Sequence, residues 1–129
     1  MAIREVIFRG KRTDCGEWVE GDLLHYESGE MAICKGFSKY GYEATEIIGR
    51  YKVIPKTIGQ FTGLTDKNGK RIFEGDIVRY EDDIGYVIYN GDDARFLVDS
   101  PNMYISMDYS NEFEVIGNIH DNPELLQKI

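Results

Sequence analysis

The dipeptide Asn68-Gly69 limits what this chain can fold into more than any other pair of residues in it. Asn and Gly are the residue types best able to take the positive φ angles of a tight reversal. They sit in Asp66-Lys67-Asn68-Gly69, between Leu64 and the apolar pair Ile72 and Phe73, so the stretch from Ile58 to Tyr80 reads as a hairpin with two short extended arms. Gly75 and Asp76 supply a second turn before Ile77-Val78-Arg79-Tyr80. That β-branched and aromatic run suits a strand.

The same rhythm runs through the rest of the chain. Val6 to Phe8 predicts a short strand followed by a basic turn, Arg9-Gly10-Lys11-Arg12. Glu17 to Tyr26, anchored by Trp18, Val19, Leu23 and Leu24, and Met31 to Cys34 predict an antiparallel hairpin about the turn Glu27-Ser28-Gly29-Glu30. Gly36 to Thr45 has no consistent period and reads as a loop. An extended pattern resumes at Ile47 and stops at Pro55, which has no amide hydrogen to give to a sheet.

Past the central stretch, Tyr86 to Tyr89 and Ala94 to Val98 complete a meander, with Ala94, Phe96 and Val98 on one face by the period of two. The turns before these strands are Glu81-Asp82-Asp83 with Gly85, and Asn90-Gly91-Asp92-Asp93. Met103 to Ile105 reads as an edge strand and Phe113 to Ile119 as the last strand. Asn122-Pro123-Glu124 then places a capping residue type, a first-turn Pro and an acid, in the order that starts a short helix.

Short strands between Gly, Asn and Asp turns argue a mainly β fold, a small SH3-type barrel or roll of antiparallel strands. Residues 1–56 read as an N-terminal β-rich hairpin region and a separate small lobe, and 57–129 as the barrel with its C-terminal helical turn. A chain of 129 residues buries about two-thirds of its unfolded surface, enough for a core without metal or disulfide staples.

Charge narrows the function classes. Twenty-three acidic residues against fifteen basic give a net charge of −8, a field that repels a phosphate backbone. Cys15 and Cys34 form no C-x-x-C pair and no ligand cluster with His25 or His120, so they read as two free thiols of a reducing compartment. The N-terminus carries charges where a signal sequence needs an apolar core, and no run reaches the roughly 18 apolar residues of a membrane helix. A cytoplasmic protein with no membrane partner is expected.

Three blocks carry a family resemblance. The first is Phe8-Arg9-Gly10-Lys11-Arg12 with Glu17-Trp18-Val19 and Gly21. The second is Ile58-Gly59-Gln60-Phe61-Thr62-Gly63-Leu64 with Asp66 to Lys70 and Phe73-Glu74-Gly75-Asp76-Ile77-Val78. The third is Val115-Ile116-Gly117-Asn118-Ile119 with Asn122-Pro123-Glu124-Leu125-Leu126. Together they resemble the YopX-type proteins of bacteriophages and prophages. The resemblance implies a β-rich protein with an SH3-type barrel and a phage or prophage origin in a bacterial host; it implies no catalytic residues.

No catalytic set is read from the residues either. Nucleophilic catalysis needs a base in reach and a group to orient it, and there is no Gly-x-Ser-x-Gly elbow. The acids Glu81-Asp82-Asp83 and Asp92-Asp93 lack the order of a calcium loop. Thr62 to Lys70 lacks P-loop spacing. Expected, then, are no catalytic, cofactor-binding or metal-ligating residues, and a non-enzymatic accessory protein that binds an unidentified protein partner or itself. Its candidate partner surface is Arg9, Lys11 and Arg12 with Tyr40 and Tyr42, the tyrosines giving contact area at small entropy cost. The alternatives are a nucleic-acid-binding module using the Arg9 to Arg12 turn, disfavoured by the net charge, and an enzyme with acids at the barrel mouth.

Overall fold

Alternation of apolar and polar residues produces eleven antiparallel strands in a computed structural model that describes residues 4–40 and 44–127. They form two sheets, and helix is confined to short 3-10 segments among the described residues. The chain divides into two compact units, 1–60 and 61–129.

In the first unit, β1 (Phe8–Lys11), β2 (Trp18–His25), β3 (Met31–Tyr40) and β4 (Ala44–Val53) pair in sequence order. The first residues of β5 (Gly59–Thr65) add to the free side of β1, Phe8 opposite Gln60 and Arg9 opposite Gly59. Alternation sends Val19, Ile33 and Val53 to one face, where they form a buried cluster with Phe8, Leu23, Met31, Tyr51 and Ile58 packed against it. Strands β2 and β3 approach closely at Gly21: a Cβ there would lie 2.1 Å from the carbonyl oxygen of Cys34. Only glycine fits.

Two sequence expectations change here. Arg9 and Lys11 lie inside β1, because Phe8 and Gly10 face the core and alternation carries the basic residues along the strand. The stretch read as a loop from Gly36 is strand as far as Tyr40 and again from Ala44; residues 41–43 lie outside the described residues. Register shifts at Cys34, Gly36 and Phe37 explain the missing period, since a bulge breaks the alternation without ending the ladder.

In the second unit, the rest of β5 pairs with β6 (Arg71–Phe73), and β7 (Asp76–Tyr80), β8 (Asp83–Asn90), β9 (Arg95–Asp99), β10 (Tyr104–Ser106) and β11 (Glu114–Asn118) form a sheet in the order β10-β9-β8-β7-β11. Its core gathers Ile72, Val78, Val87, Val98, Ile105, Met107 and Phe113. The edge position expected near Met103 to Ile105 is occupied by β10. The β11–β7 ladder carries a bulge between Val115 and Gly117. The segment after Asn122 is a 3-10 helix, Pro123–Gln127.

Two details differ from the expectation. Gly85 belongs to β8 rather than to the acidic turn, and Ala94, at φ +53°, ends the turn before β9 instead of sharing a face with Phe96 and Val98. The barrel itself is corrected: the sheet of the second unit is open, with β10 and β11 as its edges. β10 is three residues long and runs straight into the 3-10 helix Met107–Glu112, so no ladder closes the sheet. The nearest approach to closure lies instead in the first unit. There Arg12 bridges Val53, the Thr13 amide donates to the Lys52 carbonyl at 3.0 Å, and the Ile54 amide donates to that of Lys11 at 2.8 Å. One bridge is not a closed barrel.

Candidate functional site

The basic cluster expected as a contact surface is engaged with its own neighbours. Lys11 is opposite Trp18 in the β1–β2 register, and Arg9 is two residues back on the same face. The guanidinium carbon of Arg9 lies 4.9 Å, and Nζ of Lys11 5.7 Å, from the centre of the Trp18 ring. Both distances fall in the range where a cation is attracted to an aromatic face. Arg12 stacks over Tyr51 at 4.3 Å and forms a bidentate pair with Asp14, Nε to Oδ1 at 3.0 Å and Nη2 to Oδ2 at 2.7 Å. That hydrogen bond, against a smaller opposing effect of desolvation, holds the Asp14 carboxyl below its usual range. Nε and one Nη of Arg9 are buried. Each of the three cations thus meets an aromatic ring of the first unit. Of the predicted tyrosines, Tyr40 ends β3, where only its backbone is described, and Tyr42 lies outside the described residues.

A shallow groove of about 370 Å³ opens beside the β2–β3 turn, lined by Thr13, Met31, Val53 and Pro55 with Glu30 and Lys52. The last two form an ion pair at 2.8 Å with both side chains more than half exposed. Lys52 and then Ser28, as hydrogen-bond donors, keep the Glu30 carboxyl below its usual range. An exposed, self-satisfied pair of this kind holds little back for a ligand. Cys15 is exposed and Cys34 buried, both as free thiols. Among the described residues, no three of His, Cys, Asp and Glu are grouped to hold a metal ion, and no helix is long and apolar enough to cross a membrane.

The sequence reading takes Met103 to Ile105 as an edge strand but names no contact residue in the stretch 103–109. Met103, Tyr104 and Tyr109 are 55%, 65% and 47% exposed, all three in a short run around an edge strand. Side chains of that size and exposure concentrated on one segment mark a contact site more often than scattered ones do. Local chemistry places them. The Ser100 hydroxyl donates to the Met103 carbonyl at 2.7 Å and closes the turn into β10. Ile105 alternates inward to the core, and that turns Tyr104 outward. Ser106 caps the following 3-10 helix by accepting from the Asp108 amide. Tyr109 then lies against Tyr80, ring centroids 5.5 Å apart, while Tyr80 meets the buried Phe113 edge-on at 5.5 Å. The signal in the sequence was Met-Tyr-x-x-Met-x-Tyr beside a strand too short to shield its own edge.

A family model described as YopX protein matches residues 7–127. The chain belongs to the YopX family. A similar solved structure is the crystal structure of protein EF1440 from Enterococcus faecalis, 33% identical, with a TM-score of 0.70, covering 95% of this chain and 98% of that one. No functionally curated protein matches. The match spans most of this YopX protein, β1 and the stretch 103–109 among the matched residues.

Proposed function

We propose that this YopX protein is a phage or prophage accessory module that works in the bacterial cytoplasm by protein contact, using edge strand β10 and its flanks. The observation that carries this reading is the exposure of Met103 and Tyr104 at edge strand β10, with Tyr109 exposed in the 3-10 helix that follows. An edge strand offers unpaired backbone donors and acceptors to an incoming strand, and alternate outward side chains give such pairing its selectivity. The charge of −8 and the internal engagement of Arg9, Lys11 and Arg12 weigh against a phosphate-backbone partner. The residues 9–12 segment and Tyr40 with Tyr42 belong to this reading as a secondary surface.

The test is a photo-cross-linker in place of Tyr104, introduced in the cell that makes the protein. A discrete adduct at that position, with none from a cross-linker at the exposed Glu27, is the expected result. Sedimentation across a concentration series then separates self-association from a second partner. Smears or silence at Tyr104 would retire the reading.

A further inference from the structure

The exposed Tyr109, in the 3-10 helix after β10, sits in an aromatic setting with acidic residues close in sequence. Tyr80 ends β7, and its ring is held edge-on by Phe113, which is fully buried, and covered on its outer side by Tyr109 at a tilt of 34°. Tyr109 is nearly half exposed, so the pair presents an aromatic face to solvent. Carboxylates border it from two elements. Glu81 follows Tyr80 in a left-handed turn residue at φ +55°, and Glu112 ends the 3-10 helix that carries Tyr109. Burial raises the titration of the Tyr80 hydroxyl, and the charges of Glu81 and Glu112 raise it further. The cation nearest in sequence, Arg79, alternates to the opposite face of β7 and is held there by Glu114 at 2.8 Å. Glu81, Asp108 and Glu112 are themselves exposed.

We propose that the ledge of Tyr80 and Tyr109, backed by the buried Phe113 and flanked by Glu81 and Glu112, receives an arginine or lysine side chain from a basic segment of a partner protein. Aromatic faces attract cations through their quadrupole, and unneutralised carboxylates at the rim add charge complementarity and speed encounter. A neutral or acidic segment would leave both carboxylates facing bare apolar groups. The inference rests on the protein-contact reading above and names the chemistry of the partner.

The test uses the full chain and a hexa-arginine peptide at low salt, with hexa-glutamate as control, followed by calorimetry and by backbone amide shifts. Saturable binding is expected, with shifts centred on Tyr80, Tyr109 and Glu112. Tyr109→Ala and Glu112→Gln should each weaken binding by about fivefold, while Glu30→Gln in the first unit leaves it unchanged and circular dichroism confirms that all variants fold. Absence of binding, equal binding by Tyr109→Ala, or shifts spread evenly over the acidic turns would overturn the proposal. So would a Tyr109-dependent dimer that the peptide does not displace, since the occupant would then be a second copy. An adduct at Tyr104 without peptide binding defeats only this inference; loss of the Tyr104 adduct defeats the contact reading beneath it.

Discussion

Asp66 shows how one residue can carry a turn and a tertiary tie at once. Its side chain is 5% exposed, yet it accepts three backbone hydrogen bonds. Oδ1 takes the amides of Asn68 and Lys70, and Oδ2 takes that of Val115, each at 2.9 Å. Burial by itself raises the carboxyl's pKa, but the three amides outweigh it and the net displacement is downward from 3.8. A carboxylate whose folded value is depressed adds stability above its ordinary value, and loses it as pH falls through the folded one. Unfolding of the second unit should therefore become easier on acidification below about pH 4, and Asp66→Ala should flatten that dependence. The same variant leaves buried amides without an acceptor, so a loss of about 3 kcal/mol is expected in urea denaturation at neutral pH. Asn68 illustrates a limit: Gly69 takes the positive φ, +78°, and Asn68 does not. The reversal is organised by the Asp66 carboxylate, which the Asn-Gly signal did not reveal.

At the scale of elements, strand positions followed from alternation, and strand partners followed from where glycine permits close approach. Gly21→Ala would push a methyl group into the Cys34 carbonyl, which lies 2.1 Å from the required position. Separating β2 from β3 there should cost about 1–3 kcal/mol. Because the only tryptophan, Trp18, begins β2, the loss is read from its fluorescence during denaturation. β10 stands at the other extreme. Its three residues pair with β9 on one side alone, Ile105 opposite Val98. An edge this short is held by its inward anchor, and its outward tyrosine is left for contact, as the Tyr104 cross-linking experiment examines.

For the whole molecule, charge sets the partners it repels. With a net charge of −8 and Arg12 pinned to Asp14, no salt-dependent anisotropy change with duplex DNA is expected, and Arg12→Ala should make no difference; a shift that shrank steeply with added salt would contradict this. The residues alone determined the β class, the turn at Asp66 to Gly69, the edge place of β10, the YopX family and the poverty of basic charge, because each depends on local periodicity, turn chemistry or composition. Tertiary structure decided what local signals cannot carry. It left the second sheet open, drew Arg9 and Lys11 over Trp18, joined Asp66 to Val115, and set Tyr109 upon Tyr80. Each of those outcomes depends on which distant strands share a face, and a one-residue bulge such as those in β3 and β11 is enough to change that face.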